Sequence, residues 1–175
     1  VLVGPIRAKN KTHLLTGYVH AAYPPVYSDL AKVAGFDSAI LVKGVEGGVS
    51  PALRGDGKVF YYSDNNEMQE IKFNPKNISI EQNIRAVPLP ELEKLEEIKL
   101  DEISSDINVT DFSTKAVEIG NEALNGKDGP AKDTLIYTGA LTLSIIRNID
   151  FNEAASKIKK TIDSGKAKEY FYNAI

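Results

Sequence analysis

Residues 14–51 decide the fold: LLTGYVHAAYPPVYSDLAKVAGFDSAILVKGVEGGVSP. Two short apolar runs, 14–19 and 38–42, do not alternate polar with apolar side chains, which is typical of strands buried on both faces of a parallel sheet. Between them, Pro24-Pro25 suits the first turn of a helix, and Gly35 supplies its end. Apolar residues recur at helical spacing at positions 26, 30, 33 and 34. We therefore predict a right-handed βαβ unit.

A glycine-rich loop, KGVEGGVS at residues 43–50, follows the second predicted strand. In an open α/β sheet, ligands bind beyond the carboxyl ends of the strands, so this loop is a candidate site for substrate or phosphate. Backbone amides in such a loop can hold a phosphate. The loop matches neither GxGxxG nor a Walker motif, so a purely structural turn remains the alternative. The candidate residues are Lys43 as a cation, Glu46 as a contact to a metal or hydroxyl, and Gly44, Gly47 and Gly48.

Histidines and tyrosines surround the same strand. His13 and His20 lie at its opposite ends, and His20, at the carboxyl end, is the better candidate for substrate binding, with a structural hydrogen bond as the alternative. No third ligand accompanies them, so we predict no metal site. Four tyrosines could stack bases. Packing is favoured, because three of them fall inside a predicted helix or strand; the four are Tyr23, Tyr27, Tyr61 and Tyr62.

The composition limits the class of protein. The chain has 175 residues, is 42% hydrophobic, carries a net charge of −3 and contains no cysteine. It is long enough for one α/β domain, 1–175. Disulfides, thiol nucleophiles and cysteine-bound zinc are excluded. No apolar run reaches the ~20 residues of a membrane span, and no signal-peptide pattern opens the chain, so we expect a cytoplasmic protein that does not enter membranes.

Charge is distributed unevenly along the chain. Residues 1–20 carry Arg7, Lys9 and Lys11 and no acid, and His13 is adjacent. This basic segment is either a solvated loop or a contact to the phosphates of nucleic acid. Residues 81–112 hold nine acids against three bases, which we interpret as an acidic crossing segment at the surface, with a short helix near 92–100.

The remaining patterns complete the predicted architecture. Residues 58–62 and 68–73 predict a β-hairpin. Four helices follow. The first has Ser113 as its predicted N-cap, and the second spans residues 131–147. The third starts at an Asp150–Glu153 capping box, and the last, at 166–174, is predicted to pack Tyr170 and Phe171. The predicted fold class is α/β: a mixed, mainly parallel sheet with a βαβ core, an appended β-hairpin and a C-terminal helical cluster.

Several of these motifs, taken together and in order, resemble a known family. GPIRAKNKTHLLTGYVHAAYPPVYSDLAKVAGFDSAILVKGVEGG, RAVPLP, NGKDGPAKDTLIYTGALTLSI and IDSGKA are similar to the C-terminal part of anthranilate phosphoribosyltransferase-like proteins, in the divergent branch labelled glycosyl transferase family proteins. The resemblance implies part of a large α/β domain, with an N-terminal helical domain that is absent here and that forms a homodimer. It also implies transfer of a phosphoribosyl group from phosphoribosyl pyrophosphate, with Mg²⁺, to an aromatic amine.

One departure from the family bears on function. The enzymes carry an Asp-Glu pair for magnesium where this chain has Val49 and Ser50, and a valine cannot ligate magnesium. The first functional hypothesis is therefore a pentosyl-transferring glycosyltransferase with an altered metal or acceptor site. The second is a non-catalytic protein of the same fold that binds nucleic acid or another polyanion through the basic segment. The third is a structural or regulatory subunit without a ligand.

Overall fold

The computed structural model describes residues 12–64, 66–88 and 109–174. Strands come first along the chain and helices dominate its second half. The elements are β1 (His13–Gly17), α1 (Tyr23–Val33), β2 (Ser38–Val42), β3 (Gly57–Ser63), β4 (Gln69–Phe73), α2 (Val109–Leu124), α3 (Pro130–Arg147), α4 (Phe151–Asp163) and α5 (Lys166–Asn173). Arg7, Lys9, Lys11 and the helix predicted near 92–100 lie outside the described residues.

The four strands form one mixed sheet in the order β1-β2-β3-β4. β1 and β2 are parallel, with His13 opposite Ser38, and α1 connects them. The β2–β3 and β3–β4 pairs are antiparallel. The sheet confirms the mixed α/β class, the βαβ core and the appended hairpin, and the parallel part of the described sheet is the β1–β2 pair.

Only one of the two parallel strands is buried on both faces. Every residue of β2 is buried, as its unbroken apolar run predicts. β1 was expected to be equally buried, but His13 is exposed and the other four residues are half-buried. The physical reason is that β1 lies at the edge of the described sheet, where it has a neighbour on one side only.

The sheet carries a hydrophobic cluster on each face, because successive residues of a strand point to opposite sides. Ala39 and Leu41 of β2 pack with α1 and with the buried ring of Tyr62. Ile40 and Val42 pack on the opposite face with Tyr137 of α3 and with α4. The helical cluster, residues 109–173, thus covers one face of the sheet and α1 covers the other.

The outer side of α1 carries several exposed apolar side chains. The residues that pack against the sheet are Pro24, Ser28 and Ala31. Val26 and Leu30 are exposed, and Val33 is 87% exposed. The sequence periodicity therefore identified the helix correctly, but its larger apolar side chains lie on the side away from the sheet.

The helix boundaries confirm some predicted signals and correct others. α2 begins at Val109, so Ser113 lies inside the helix and does not cap it. Asp150 does cap α4: its Oδ1 accepts hydrogen bonds from the amides of Asn152 at 2.8 Å and Glu153 at 3.1 Å. The reciprocal bond of a capping box is replaced by an ion pair, since Glu153 accepts a hydrogen bond from Lys157 at 2.6 Å.

The last helix, α5, is present, but its aromatic residues do not pack as predicted. Tyr170 is 80% exposed and Phe171 is also exposed. α5 is attached by Ala167, which packs against the core, and by two polar contacts. The Tyr172 hydroxyl donates to Asn121 of α2 at 2.7 Å, and Lys168 donates to Asn125 in the turn after α2 at 2.7 Å.

A buried cation connects the helices of the cluster. Lys132 of α3 is 4% exposed, and its Nζ donates to Asp163 at 2.7 Å, Asp128 at 2.9 Å and the carbonyl of Gly126 at 3.0 Å. These three acceptors satisfy all three ammonium protons. The hydrogen bonds to Asp163 and then Asp128 raise the pKa of Lys132. Lys132 therefore holds the α2–α3 turn against the end of α4.

Candidate functional site

The candidate site lies at the carboxyl ends of β1 and β2. The amide of Tyr18 donates to the Val42 carbonyl at 2.9 Å, so the two strands stay paired to the ends of both. The chain then turns into α1 after β1 and into the glycine-rich loop after β2. These two connections are neighbours because parallel strands end at the same edge of a sheet.

The glycine-rich loop folds back on itself. The Val45 amide donates to the Ser50 carbonyl at 3.0 Å, the Gly48 amide to Val45 at 2.9 Å and the Gly47 amide to Gly44 at 3.4 Å. Glu46, with φ 53°, has a left-handed backbone that is costly for a residue other than glycine, asparagine or aspartate. The sequence suggested amides that hold a phosphate, but in this conformation three of the loop amides donate within the loop.

Two glycines allow the connections to approach closely. A Cβ on Gly17 would collide with the carbonyl oxygens of Gly47 and Gly48, and a Cβ on Gly44 would collide with the Gly48 carbonyl. Only glycine leaves room for backbone to approach backbone in this way. The Val19 side chain, in the connection after β1, lies against Gly47. The glycine spacing therefore builds the site by fixing the loop on the end of β1.

The predicted site residues lie in two neighbouring connections, one after β2 and one after β1. Lys43, Gly44, Glu46, Gly47 and Gly48 lie together on the loop, with both charged residues exposed. His20 lies in the adjacent connection after β1 and is also exposed. Among the described residues, neither charged side chain of the loop forms an ion pair or hydrogen bond.

His13 lies at the opposite end of β1. Its Nδ1 is 2.6 Å from the hydroxyl of Ser38, which is buried at the start of β2. The structural hydrogen bond was the alternative interpretation for His20, and the structure shows such a contact at His13 instead. His13 and the loop therefore lie at opposite ends of the parallel strands.

The loop at residues 43–50 offers a single carboxylate, that of Glu46, to a magnesium ion. Magnesium takes oxygen ligands, chiefly carboxylates. Val49 offers an exposed apolar side chain and Ser50 a single hydroxyl. In the part of the chain that the structure describes, no three His, Cys, Asp or Glu side chains are grouped to hold a metal ion. At Val49 and Ser50 the loop thus offers one hydroxyl and no carboxylate.

A row of three rings, which we call the aromatic row, lies in the connection after β1 and at the start of α1 and was not predicted as a unit. The rings of Tyr23 and Tyr27 are stacked, with centroids 5.7 Å apart and planes at 18°. The His20 ring meets Tyr23 at 5.2 Å and 82°. The i, i+3, i+7 spacing of these residues at the start of α1 is the sequence signal that could have identified the row.

An open apolar groove of about 700 Å³ lies between the loop and α3. Leu15 of β1 and Val49 and Ser50 of the loop line one side, and Thr138 and Leu143 of α3 belong to the other. The Thr138 hydroxyl is buried and has no hydrogen-bond partner within the described residues. α3 is thus central, as its wide apolar arc predicts, but one of its sides is open.

The described helices contain no segment long and apolar enough to cross a membrane.

Comparison of the sequence with family models and with curated proteins gives no match. Comparison of the fold with solved structures does. Anthranilate phosphoribosyltransferase from Saccharomyces cerevisiae in complex with 4-fluoroanthranilate matches 90% of this chain with a TM-score of 0.62 and 18% sequence identity. The chain has a phosphoribosyltransferase-like fold.

The same yeast enzyme in complex with PRPP and Mg also matches with a TM-score of 0.62, and the form without a named ligand matches with 0.59, both at 18% identity and 90% coverage of this chain. The chain spans 40% of the length of these enzymes. At this identity the likeness is one of fold. It confirms the phosphoribosyltransferase-like architecture that the motifs indicated.

Proposed function

We propose that this chain is part of a phosphoribosyltransferase-like protein that binds phosphoribosyl pyrophosphate at the carboxyl edge of β1 and β2 and transfers the pentosyl group to an aromatic amine or a related acceptor. The observation that carries the proposal is the packing of the glycine-rich loop on the end of β1, which puts His20 and the loop at one edge of the sheet. A solved structure of similar fold contains PRPP and Mg.

Each predicted residue has a role in this proposal. Lys43 is exposed and lacks an ion-pair partner among the described residues, so its ammonium can pair with a phosphate. His20 can donate a hydrogen bond to the pyrophosphate or to a ribose hydroxyl. Glu46 can accept a hydrogen bond from the ribose, and the glycines let the ligand approach the backbone.

Magnesium is not assigned to the loop, because Val49 and Ser50 do not supply the carboxylates that the ion prefers. The protein groups that would neutralise the departing pyrophosphate are then Lys43 and His20, and the sugar carbon gains positive charge as the pyrophosphate leaves. We therefore expect PRPP binding to depend less on magnesium than a site with two carboxylate ligands would.

The test is calorimetric titration of the intact protein with phosphoribosyl pyrophosphate, with and without magnesium. Each charged hydrogen bond contributes ~1.5–3 kcal/mol, so Lys43→Ala and His20→Ala should each weaken binding about 10-fold or more. His13→Ala is the matched control, because that histidine lies at the opposite end of β1. Equal losses in the two histidine variants, or no binding by the wild type, would refute the proposal.

A second candidate function is binding of nucleic acid or another polyanion. The observation that favours it is the charge of residues 1–20, which carry three cations and no acid. The proposed contacts are Arg7, Lys9, Lys11 and His13. Binding should weaken with salt at a log–log slope of about −0.9 for each duplex phosphate neutralised.

Triple replacement of the three cations with alanine should reduce the magnitude of that slope by about 2.7. Fluorescence anisotropy of a labelled duplex at several salt concentrations measures it. An unchanged slope would exclude the basic segment as the contact surface.

A further inference from the structure

A cavity of about 730 Å³ lies between the β3–β4 hairpin and the C-terminal end of α3, away from the candidate site. Its volume is within the range of ~300–1,000 Å³ that is typical of small-molecule sites. Ser63, which lines the cavity, pairs with Ser38, the first residue of β2. The glycine-rich loop follows the last residue of β2, so the cavity and the loop lie at opposite ends of that strand.

Part of the cavity lining is apolar. Ile71 of β4 and Ile145 of α3 contribute to it, together with the rings of Tyr61 and Phe151. These side chains pack against the core between the sheet and the helical cluster, but each of them is only half-buried. Apolar surface therefore stays in contact with water inside a concave site, and a ligand that covers it gains free energy.

Two exposed side chains of the lining carry opposite charges. Arg147 is the last residue of α3, and Glu67 lies in the connection between β3 and β4. Within the part of the chain that the structure describes, neither forms an ion pair or a hydrogen bond, with the other or with a third residue. The cavity thus offers one cation and one carboxylate to a ligand.

The other two charged residues of the lining are not available in the same way. Asp64 already accepts a hydrogen bond from the Ser63 hydroxyl at 3.3 Å. Lys72 lies between Ile71 and Phe73, whose side chains pack towards the helical cluster. Because successive residues of a strand point to opposite sides, the Lys72 side chain points to the other face of the sheet.

The charges and the apolar lining together select the class of ligand. A guanidinium binds a carboxylate through two parallel hydrogen bonds, and the Glu67 carboxylate can accept from an ammonium group. The negative end of the α3 dipole also favours an ammonium group at this end of the helix. A simple carboxylic acid or a simple amine would leave Arg147 or Glu67 without a partner.

We propose that this cavity binds a free α-amino acid with an apolar side chain. The amino acid carboxylate pairs with Arg147, its ammonium group pairs with Glu67, and its side chain covers Ile71 and Ile145. The inference does not rest on the proposed function, because the cavity shares none of the residues assigned to phosphoribosyl pyrophosphate.

The test is an NMR titration of the intact, isotopically labelled protein with L-phenylalanine, which should shift the amide signals of Ile71 and Ile145. Two related probes separate the charged contacts: phenylpropionate lacks the amino group and phenylethylamine lacks the carboxylate. Each should bind about 10-fold or more weakly than L-phenylalanine, because each loses one charge-assisted hydrogen-bonded pair. Binding of phenylpropionate as tight as that of L-phenylalanine would overturn the proposed class of ligand.

Substitutions assign each contact. Arg147→Gln should weaken binding of L-phenylalanine about 10-fold and leave that of phenylethylamine unchanged, whereas Glu67→Gln should weaken L-phenylalanine equally and leave phenylpropionate unchanged. The matched controls are Arg85→Gln and Glu118→Gln, which remove exposed charges outside the cavity and should have no effect. The absence of shifts at the cavity, or equal losses in a variant and its control, would overturn the proposal, whether or not phosphoribosyl pyrophosphate binds.

Discussion

The Tyr137→Phe substitution should make the protein more stable. Tyr137 is 0% exposed, and its ring packs edge-on against Phe73 at 5.5 Å and at a tilt against Phe151 at 6.1 Å. Its hydroxyl has no hydrogen-bond partner among the described residues. Phenylalanine keeps both ring contacts and removes only the unpaired polar atom, so folding no longer has to desolvate it.

The expected gain follows from two opposing terms. An unsatisfied buried hydroxyl costs ~1–3 kcal/mol. Its removal leaves a gap of about one oxygen atom, which costs a few tenths of a kcal/mol at ~24 cal/mol per Å³. The free energy of unfolding should therefore rise by about 1 kcal/mol, and Tm by roughly 2–4 °C.

Tyr62→Phe is the matched control with the opposite sign. Tyr62 is equally buried, but its hydroxyl donates to the Phe36 carbonyl at 3.1 Å. The loss of this bond should lower stability by about 1 kcal/mol. Urea denaturation followed by circular dichroism measures both variants. If Tyr137→Phe destabilises as much as Tyr62→Phe, the Tyr137 hydroxyl has a partner and the reasoning fails.

Alkaline pH gives an independent check on the same residue. Burial, and secondarily the Asp56 carboxylate, raises the pKa of Tyr137. The phenol of the unfolded chain has a pKa near ~10, so above that pH the unfolded state loses this proton before the folded state does. Stability should fall from about pH 10 upward, and the fall should be smaller in Tyr137→Phe.

Three further substitutions test other parts of the structure by urea denaturation. Gly44→Ala should destabilise the protein by roughly 2 kcal/mol or more, because the new Cβ would collide with the Gly48 carbonyl. Gly120→Ala on α2, where no atom is near the new Cβ, should stabilise the protein by ~0.5–1 kcal/mol. Equal effects of the two substitutions would argue against the loop conformation. Lys132→Met should lower the free energy of unfolding by roughly 2–4 kcal/mol, because it removes a buried cation from two carboxylates. Lys127→Met, at an exposed ion pair, should lower it by less than ~1 kcal/mol. A similar loss in both variants would show that burial of Lys132 does not matter for stability. Asp150→Ala should cost about 1 kcal/mol and Asp150→Asn much less, since asparagine still caps α4; full loss in both would mean that the charge, and not the cap, matters.

Local patterns were sufficient for the elements of this fold. An unbroken apolar run predicted β2 at residues 38–42, and the proline pair predicted the first turn of α1. Asp150 was recognised as a helix N-cap because the amides that it accepts hydrogen bonds from are only two and three residues further along the chain. Such a local contact can be predicted from the sequence. The resemblance of ordered motifs also indicated the phosphoribosyltransferase-like fold that the solved structures confirm.

The candidate site was predictable only in part. That the loop and the connection with His20 are neighbours was predictable, because parallel strands end on the same side of a sheet; their role in binding stays a prediction. The conformation of the loop was not, since the hydrogen bonds among Val45, Gly48 and Ser50 depend on how the chain closes. The aromatic row was missed because His20, Tyr23 and Tyr27 were considered one at a time, and only the fold brings their rings into contact.

Residues close together in the chain were enough to predict the element types, the βαβ unit and the position of the loop. Tertiary structure alone decided which face of α1 meets the sheet, that β1 lies at the edge of the described sheet, that Lys132 is buried between two carboxylates and that Tyr170 is exposed. These outcomes depend on contacts between residues far apart in the chain. Helical or strand periodicity identifies a face, but only the neighbouring elements determine whether that face is covered.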